Sequence, residues 1–320
     1  MSQLVTIIGG SGFVGRYITR RMAQAGWRVR VAVRRPNEAL HVKPYGAVGQ
    51  VEPVLCNIRD EASVRSVLSG ADAVVNCVGI LAESGKNRFD EVQATGAGRV
   101  ARLAAELGLK TLVQISAIGA DAASDSAYQR SKARGEQLVQ DHFPNAVILR
   151  PSIVFGSEDQ FFNRFASMAR LAPLLPIVGA ETRFQPVYVD DVAKAAAKAV
   201  IEGVAPGIYE LGGPDVDTFR GLMQRMLADI RRRRVVVNIP FPVAQVMGAV
   251  MGLLPNAPLT RDQVRNLAKD NVVDPQARGL ADLGITPTPM EAVLPSYLWV
   301  HRAGGQYKAI HESASRLRQD

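Results

Sequence analysis

Tyr128 and Lys132, in the run AYQRSK at 127–132, are the side chains of this sequence best suited to chemistry. Four residues apart on a helix, they share one face a single turn from each other. An ammonium in that position favours the ionised phenol, so the tyrosine could exchange a proton while a hydride moves nearby. The same pair could equally do no more than hold the sugar hydroxyls of a nucleotide. Spacing alone does not separate the two roles.

A second constellation, Gly9-Gly10-Ser11-Gly12-Phe13-Val14-Gly15, lies between a strand pattern and a helical one. Glycines at 9, 12 and 15 allow a tight turn, close approach of backbone to a pyrophosphate, and close helix–strand contact. The open N–H groups at the start of the helix then face the anion. Gly9, Ser11, Gly12, Phe13 and Val14 are therefore expected to hold a dinucleotide. An acidic residue after the second strand would bind a ribose 2′-hydroxyl, but this chain has Val33-Arg34-Arg35 there. Two guanidiniums suit a phosphate, so Arg34 and Arg35 point to NADP(H), as NADPH, rather than NAD(H). Ligands of such sheets lie outside the carboxyl ends of the strands. By that rule Asn57 and Ile58 fall near an adenine, and Cys77, Val78 and Gly79 beside a ribose.

The elements that must position these residues follow from periodicity. Apolar runs at Leu4–Ile8, Arg28–Val33, Val51–Leu55, Ala73–Asn76, Thr111–Ile115 and Ala146–Leu149 alternate with amphipathic segments at Val14–Ala25, Glu61–Leu68 and Phe89–Leu107. That alternation predicts βαβ units, and so an α/β fold with a doubly wound parallel sheet of the Rossmann type. Residues 1–150 form the nucleotide domain, with the sheet completed by segments up to about 215. Residues 151–320 form a smaller carboxyl-terminal lobe interleaved with it. Phe161, Phe162, Phe165, Met168 and Leu171 make a bulky apolar stripe, either core at helical spacing or the wall of a hydrophobic substrate entrance.

Composition narrows the function classes. With 47% hydrophobic and 21% charged residues, the 320-residue chain has the content of an ordinary globular protein with a full core. Its two cysteines, Cys56 and Cys77, suit a reduced compartment, and its four scattered histidines offer no metal-ligand spacing, so no metal site is expected. The opening MSQLVTIIGG runs straight into a strand, which predicts no leader and favours the bacterial cytosol. Net charge is +8, and the first fifty residues carry eight Lys or Arg against the single acid Glu38. No nucleic-acid motif accompanies that excess, so phosphorylated ligands or an anionic membrane surface are the better partners.

From Val235 to Thr260 there is no charged residue, while Arg231-Arg232-Arg233-Arg234 precedes the segment and Arg261 follows it. Its prolines leave only about a dozen residues of continuous helix, too few for a membrane span of roughly twenty. Two readings stand: a buried helix of the small lobe, or an apolar surface helix that docks on a membrane or partner through the 231–261 region. The flanking arginines would draw such a helix to an anionic surface.

Together these motifs resemble the short-chain dehydrogenase/reductase superfamily, of the extended or atypical kind. Ser116 in Gln114-Ile115-Ser116-Ala117 and the Tyr128/Lys132 pair look like its catalytic trio. Arg150-Pro151-Ser152-Ile153-Val154-Phe155-Gly156 looks like the loop along the nicotinamide, which implies contacts from Pro151 and Ile153. Gln185-Pro186-Val187-Tyr188-Val189-Asp190-Asp191-Val192-Ala193 resembles a later signature. Longer strings are similar to one branch, the dehydrogenase-like accessory subunit of respiratory complex I, NADH:ubiquinone oxidoreductase. They are His142–Ala146, Phe155–Met168, Arg183–Val192, Leu259–Val273 and Gly279–Pro295.

The resemblance implies a tightly held, structural NADPH and partners among the subunits of complex I. It also implies a peripheral place near the quinone site, on the cytoplasmic side of a bacterial inner membrane. In working dehydrogenases of the superfamily the tyrosine is the acid/base, the lysine lowers its pKa and holds the ribose, and the serine orients the substrate oxygen. Those roles would fall to Tyr128, Lys132 and Ser116. The alternative is thus an active NADP-dependent oxidoreductase on a hydrophobic, quinone-precursor-like substrate. Asn57 departs from the pattern, standing where a carboxylate is usual beside the adenine.

Overall fold

Seven parallel strands carry the architecture in the computed structural model, which describes residues 3–252 and 259–305. The first half alternates strand and helix, with a 3-10 helix (Pro36–Tyr45) between β2 and β3: β1 (Leu4–Ile8), α1 (Phe13–Gln24), β2 (Arg28–Val33), β3 (Val51–Leu55), α2 (Glu61–Leu68), β4 (Ala73–Asn76), α3 (Thr95–Glu106), β5 (Thr111–Ile115), α4 (Ala127–His142) and β6 (Val147–Pro151). Then come β7 (Val154–Phe155), α5 (Phe162–Leu171), β8 (Leu174–Val178), β9 (Arg183–Phe184) and β10 (Val187–Tyr188). The chain then returns to the sheet with α6 (Val189–Ile201) and β11 (Gly207–Leu211). The rest is β12 (Asp217–Thr218), α7 (Phe219–Asp229), β13 (Val235–Ile239), α8 (Phe241–Met251), α9 (Arg261–Asn266) and α10 (Met290–Leu298).

Strand order is β11-β6-β5-β4-β1-β2-β3, so the order reverses at β1 and opens a crevice between the carboxyl ends of β1 and β4. This is the doubly wound α/β fold that the periodicity predicts. Both faces of the sheet are covered, as near-continuous apolar strands require. One core joins Ile18 and Met22 of α1 to Val192, Ala196 and Val200 of α6. The other joins Val64, Val67 and Leu68 of α2 to Val100 and Leu103 of α3 and Val139 of α4. Small residues set the closest approaches. A Cβ on Gly135 of α4 would lie 2.3 Å from the Gln93 carbonyl oxygen, and one on Gly98 would lie 2.9 Å from Leu138 Cβ.

The helix expected over Phe89–Leu107 is not uniform. Asp90–Ala94 form a π turn before α3 begins at Thr95. Such widened turns recur at functional sites, and this one carries Gln93. The phenylalanine stripe of α5 belongs to the smaller lobe's core. Phe162 is fully buried there with Leu222, Met226 and Leu294, while Phe161 stacks on Phe219 at 5.5 Å. Only Leu171, at the end of the stripe, is exposed.

The uncharged segment resolves in favour of the surface. Its first residues form β13, which pairs in parallel with β8, and after Pro240 the chain makes α8. This helix buries only Ala244 and Gly248, while Val243, Val246 and Val250 remain 51–65% exposed. Leu253–Pro258 of the expected segment lie outside the described residues. Two of the four arginines before it are structural: Arg232 donates to His301 O at 3.0 Å and Arg234 to Ala169 O at 2.8 Å. Among the described residues no helix is long and apolar enough to cross a membrane.

One buried ionic chain ties the sheet to α4. Arg150 of β6 donates to both oxygens of Glu136, at 2.6–3.2 Å, and reaches Glu210 of β11 at 3.5 Å. The Glu136 side chain is only 5% exposed. Arg150→Met should leave two inward carboxylates uncompensated and lower stability by about 3–5 kcal/mol. Urea unfolding checks this, and Arg150→Lys should recover only part of the loss because it lacks the fork.

Candidate functional site

The glycine turn sits at the crevice. Gly9, at φ +78°, donates its N–H to Ala32 O of β2 at 2.8 Å, and Gly12 N–H closes the turn onto Gly9 O at 3.0 Å. A Cβ on Gly15 would lie 2.3 Å from that same oxygen, so α1 can rest on the turn only with glycine there. No side chain caps α1 and no acid occupies its first turn. Its positive end, with Ser11, Phe13 and Val14 around it, therefore stays open to an anion. Arg16 lies across the turn, its guanidinium 3.3–3.4 Å from the Ser11 and Gly12 carbonyls and 3.4 Å from Glu158. Sequence reading counted Arg16 only within the basic excess.

Arg34 and Arg35 both emerge exposed beyond β2, but they differ. Arg35 is ion-paired with Glu38 at 2.9 Å, whereas Arg34 has no ion pair or hydrogen bond among the described residues. Much of the remaining early charge is internal. Arg21 pairs with Asp190, and Arg30 donates to Val67 O at 2.6 Å. Asn57 uses its side-chain oxygen to accept Arg59 N–H at 3.2 Å, closing a turn before α2. Ile58 is buried in the core beneath α3.

Across the crevice, Cys77, Val78 and Gly79 follow β4. The Cys77 thiol is pushed up to about 12 by burial, which outweighs the nearby Lys132 ammonium, so it is not a thiolate at neutral pH. Gly79 faces two polar atoms at once. A Cβ there would lie 3.4 Å from Lys132 Nζ and 3.5 Å from Gln93 Oε1. Gln93 donates to Ser131 Oγ at 3.2 Å, yet its buried Oε1 has no partner among the described residues. A buried acceptor left open beside an ammonium fits the hydroxyls and amide of a ribose–nicotinamide unit, and the glycine-lined turn fits a pyrophosphate. Gln93 escaped the sequence reading because its type carries no signal; the π turn alone brings it to the site.

α4 delivers Tyr128 and Lys132 to the same place. Lys132 Nζ lies 5.9 Å from the Tyr128 ring centroid and 3.4 Å from Ile115 O, and the Tyr128 ring meets Phe89 edge-on at 5.8 Å. Burial dominates both titrations. It pushes the phenol up to about 12 and the ammonium down to about 8, with Glu136 partly restoring the charge on Lys132. The expected lowering of the phenol by the lysine is not what this geometry produces, since burial favours the neutral form of each. Ser116, at the end of β5, donates its hydroxyl proton to Glu136. Pro151 is buried at the end of β6, and Ile153 half-buried just beyond it.

Residues 5–212 match the profile described as the NAD dependent epimerase/dehydratase family. The chain belongs to this family. It is 34% identical to the Arabidopsis thaliana mitochondrial NADH dehydrogenase [ubiquinone] 1 alpha subcomplex subunit 9, a match covering 94% of this chain and 79% of that one. It is 29% identical to the Neurospora crassa 40 kDa subunit of NADH-ubiquinone oxidoreductase, covering 98% and 84%. Among solved structures, an NADPH-dependent quinone oxidoreductase of Escherichia coli in complex with NADPH superposes with a TM-score of 0.71. That match has 20% identity and covers 92% and 98% of the two chains, a likeness of fold. Family membership supports a nicotinamide cofactor for the chain.

The lysine's burial has a measurable consequence. Between pH 8 and about 10 the unfolded chain, with lysine near 10.5, binds more protons than the folded one, so stability must rise with pH. Below pH 8 the penalty, on the order of 3 kcal/mol, is fully present. Above about 10 Tyr128 acts oppositely, because its phenol ionises near 10 unfolded but near 12 folded. Nucleotide-free Lys132→Met should therefore be more stable than wild type at pH 7, and the gap should close by pH 10. Denaturant titrations across that range check it; a constant gap would contradict the buried ammonium.

Proposed function

We propose that this chain is an accessory subunit of a bacterial-type respiratory complex I that holds NADPH as a structural ligand and takes no part in electron transfer. In this reading it lies peripherally on the cytoplasmic side of the inner membrane, near the quinone site. One observation carries it. The similarity to complex I subunits extends over almost the whole chain, including the lobe beyond the matched family segment. Three features of the site favour grip over turnover. The Tyr128 phenol holds its proton up to about 12, Lys132 is buried, and the Ser116 hydroxyl is engaged by Glu136. Arg34, unpaired among the described residues, supports NADPH over NADH, as a cation open to a 2′-phosphate. The exposed apolar face of α8 supports docking through the 231–261 region, on a partner subunit or the membrane surface.

The test is native extraction in mild detergent, a blue-native gel stained for NADH dehydrogenase activity, and assay of the nucleotide carried. Co-migration with near-stoichiometric NADPH that added quinone does not oxidise is expected. A protein that runs alone and turns its NADPH over would instead be the oxidoreductase with a hydrophobic substrate, using Ser116, Tyr128 and Lys132. Separately, Arg34→Glu should weaken NADPH binding by about ten- to hundredfold while changing NADH binding little, since a charge-assisted hydrogen bond contributes about 1.5–3 kcal/mol. Equal losses for both nucleotides would remove Arg34 from the 2′-phosphate.

A further inference from the structure

The helix that presents Tyr128 and Lys132 is capped from a distant part of the chain. Asp262 of α9 accepts Ala127 N–H at 2.7 Å through one carboxylate oxygen, and Ser126 Oγ–H at 2.8 Å and Tyr128 N–H at 3.1 Å through the other. Ser126, the ordinary cap, accepts Gln129 N–H at 3.3 Å behind it. The open amides of the first turn are thereby satisfied, and a carboxylate sits at the positive end of α4. α9 grips the neighbouring segments as well. Arg265 donates to Asp125 O at 3.1 Å, and Gln263 to Leu81 O at 3.5 Å, in the stretch leading to Phe89 against the Tyr128 ring.

On its other side α9 is joined to the exposed helix. A Cβ on Gly248 of α8 would lie 2.9–3.2 Å from the backbone of Thr260 and Arg261, so the two helices meet backbone to backbone. A reciprocal capping box between Thr260 and Gln263 fixes the start of α9. Little apolar burial seats the pair, whose own core is Val178, Ala244 and Val264 with a few half-buried neighbours. With so small a core, polar contacts of Asp262 are a large share of what holds α8–α9 against the nucleotide domain.

We propose that Asp262 is a positioning residue of the nucleotide site, supplied by the α8–α9 unit, so that nucleotide occupancy and the seating of α8–α9 favour each other. This rests on the nucleotide reading above. Coupling of this kind is reciprocal: a ligand that orders Tyr128 and Lys132 tightens the Asp262 cap, and a load on α8 that draws α9 away loosens the nucleotide by the same factor.

Hydrogen exchange on the full chain, with and without saturating NADPH, tests it beside a direct binding titration. In wild type, NADPH should slow exchange at residues 127–132 and also at 260–267. Asp262→Asn should weaken NADPH binding about tenfold, the scale of a lost helix cap. It should also abolish the slowing at 260–267 while leaving it at 9–15 when nucleotide is saturating. Ser126→Ala, which keeps the carboxylate, should give a smaller effect in the same direction and serves if the first variant does not fold. Unchanged exchange at 260–267 in wild type, or wild-type affinity in Asp262→Asn, would overturn the coupling while leaving the nucleotide reading intact. No slowing anywhere, 9–15 included, would overturn both.

Discussion

Glu136 is the contact on which the site depends. Buried beneath α4, it receives the Arg150 fork from β6 and the Ser116 hydroxyl from β5, and its charge supports the Lys132 ammonium one turn earlier. A single carboxylate so placed fixes α4 to the sheet in rotation and height, and the helix can then present Tyr128 and Lys132 only toward the crevice at β1 and β4. An isolated buried carboxylate would be far too costly to keep ionised, so the arginine is a condition of the arrangement. Glu210 shares that arginine from β11, the strand added after the chain has built part of the lobe. The nucleotide-binding half is therefore electrostatically complete only when the later segment has returned to the sheet.

Seen from Glu136, the members of the trio at 116, 128 and 132 stand in different environments. An acid/base catalyst works best with a pKa near the operating pH, and burial holds Tyr128 several units above it. Lys132, brought down to about 8 by burial, is still mostly the ammonium at neutral pH, and an anionic ligand beside it would hold that charge more firmly. The Gln93 oxygen, open among the described residues, costs free energy until a donor arrives.

What could be read in the sequence follows from which signals are local. The first five strands and α2 match their periodic patterns to the residue, because the strands are apolar runs buried on both faces or, in edge strand β3, on one, and α2 keeps one apolar side. β6 runs two residues further than its apolar run, through Arg150 and Pro151, since Arg150 is neutralised from two sides. Gly9 to Gly15 was legible because backbone geometry permits few alternatives there. Gln93, Glu136 and Asp262 were not. Each is an ordinary polar residue in its own segment and acquires a role only through a partner tens of residues away. The different fates of Arg34 and Arg35 were equally hidden, as they depend on Glu38 folding back onto one of them.

The uncharged stretch shows why periodicity left two readings open. A helix that buries a strong apolar face announces itself by contrast with a polar one, but α8 has no charged residue on any side. Burial then follows size rather than polarity: Gly248 goes inward because Thr260 and Arg261 pass too close for anything larger, Ala244 is buried beside it, and the valines are left outside. This inverts the usual order, in which large aliphatic side chains are buried first. Close backbone contact with α9 matters more here than apolar area removed from water. The outcome is a short apolar surface on the same α8–α9 unit whose Asp262 closes the end of α4.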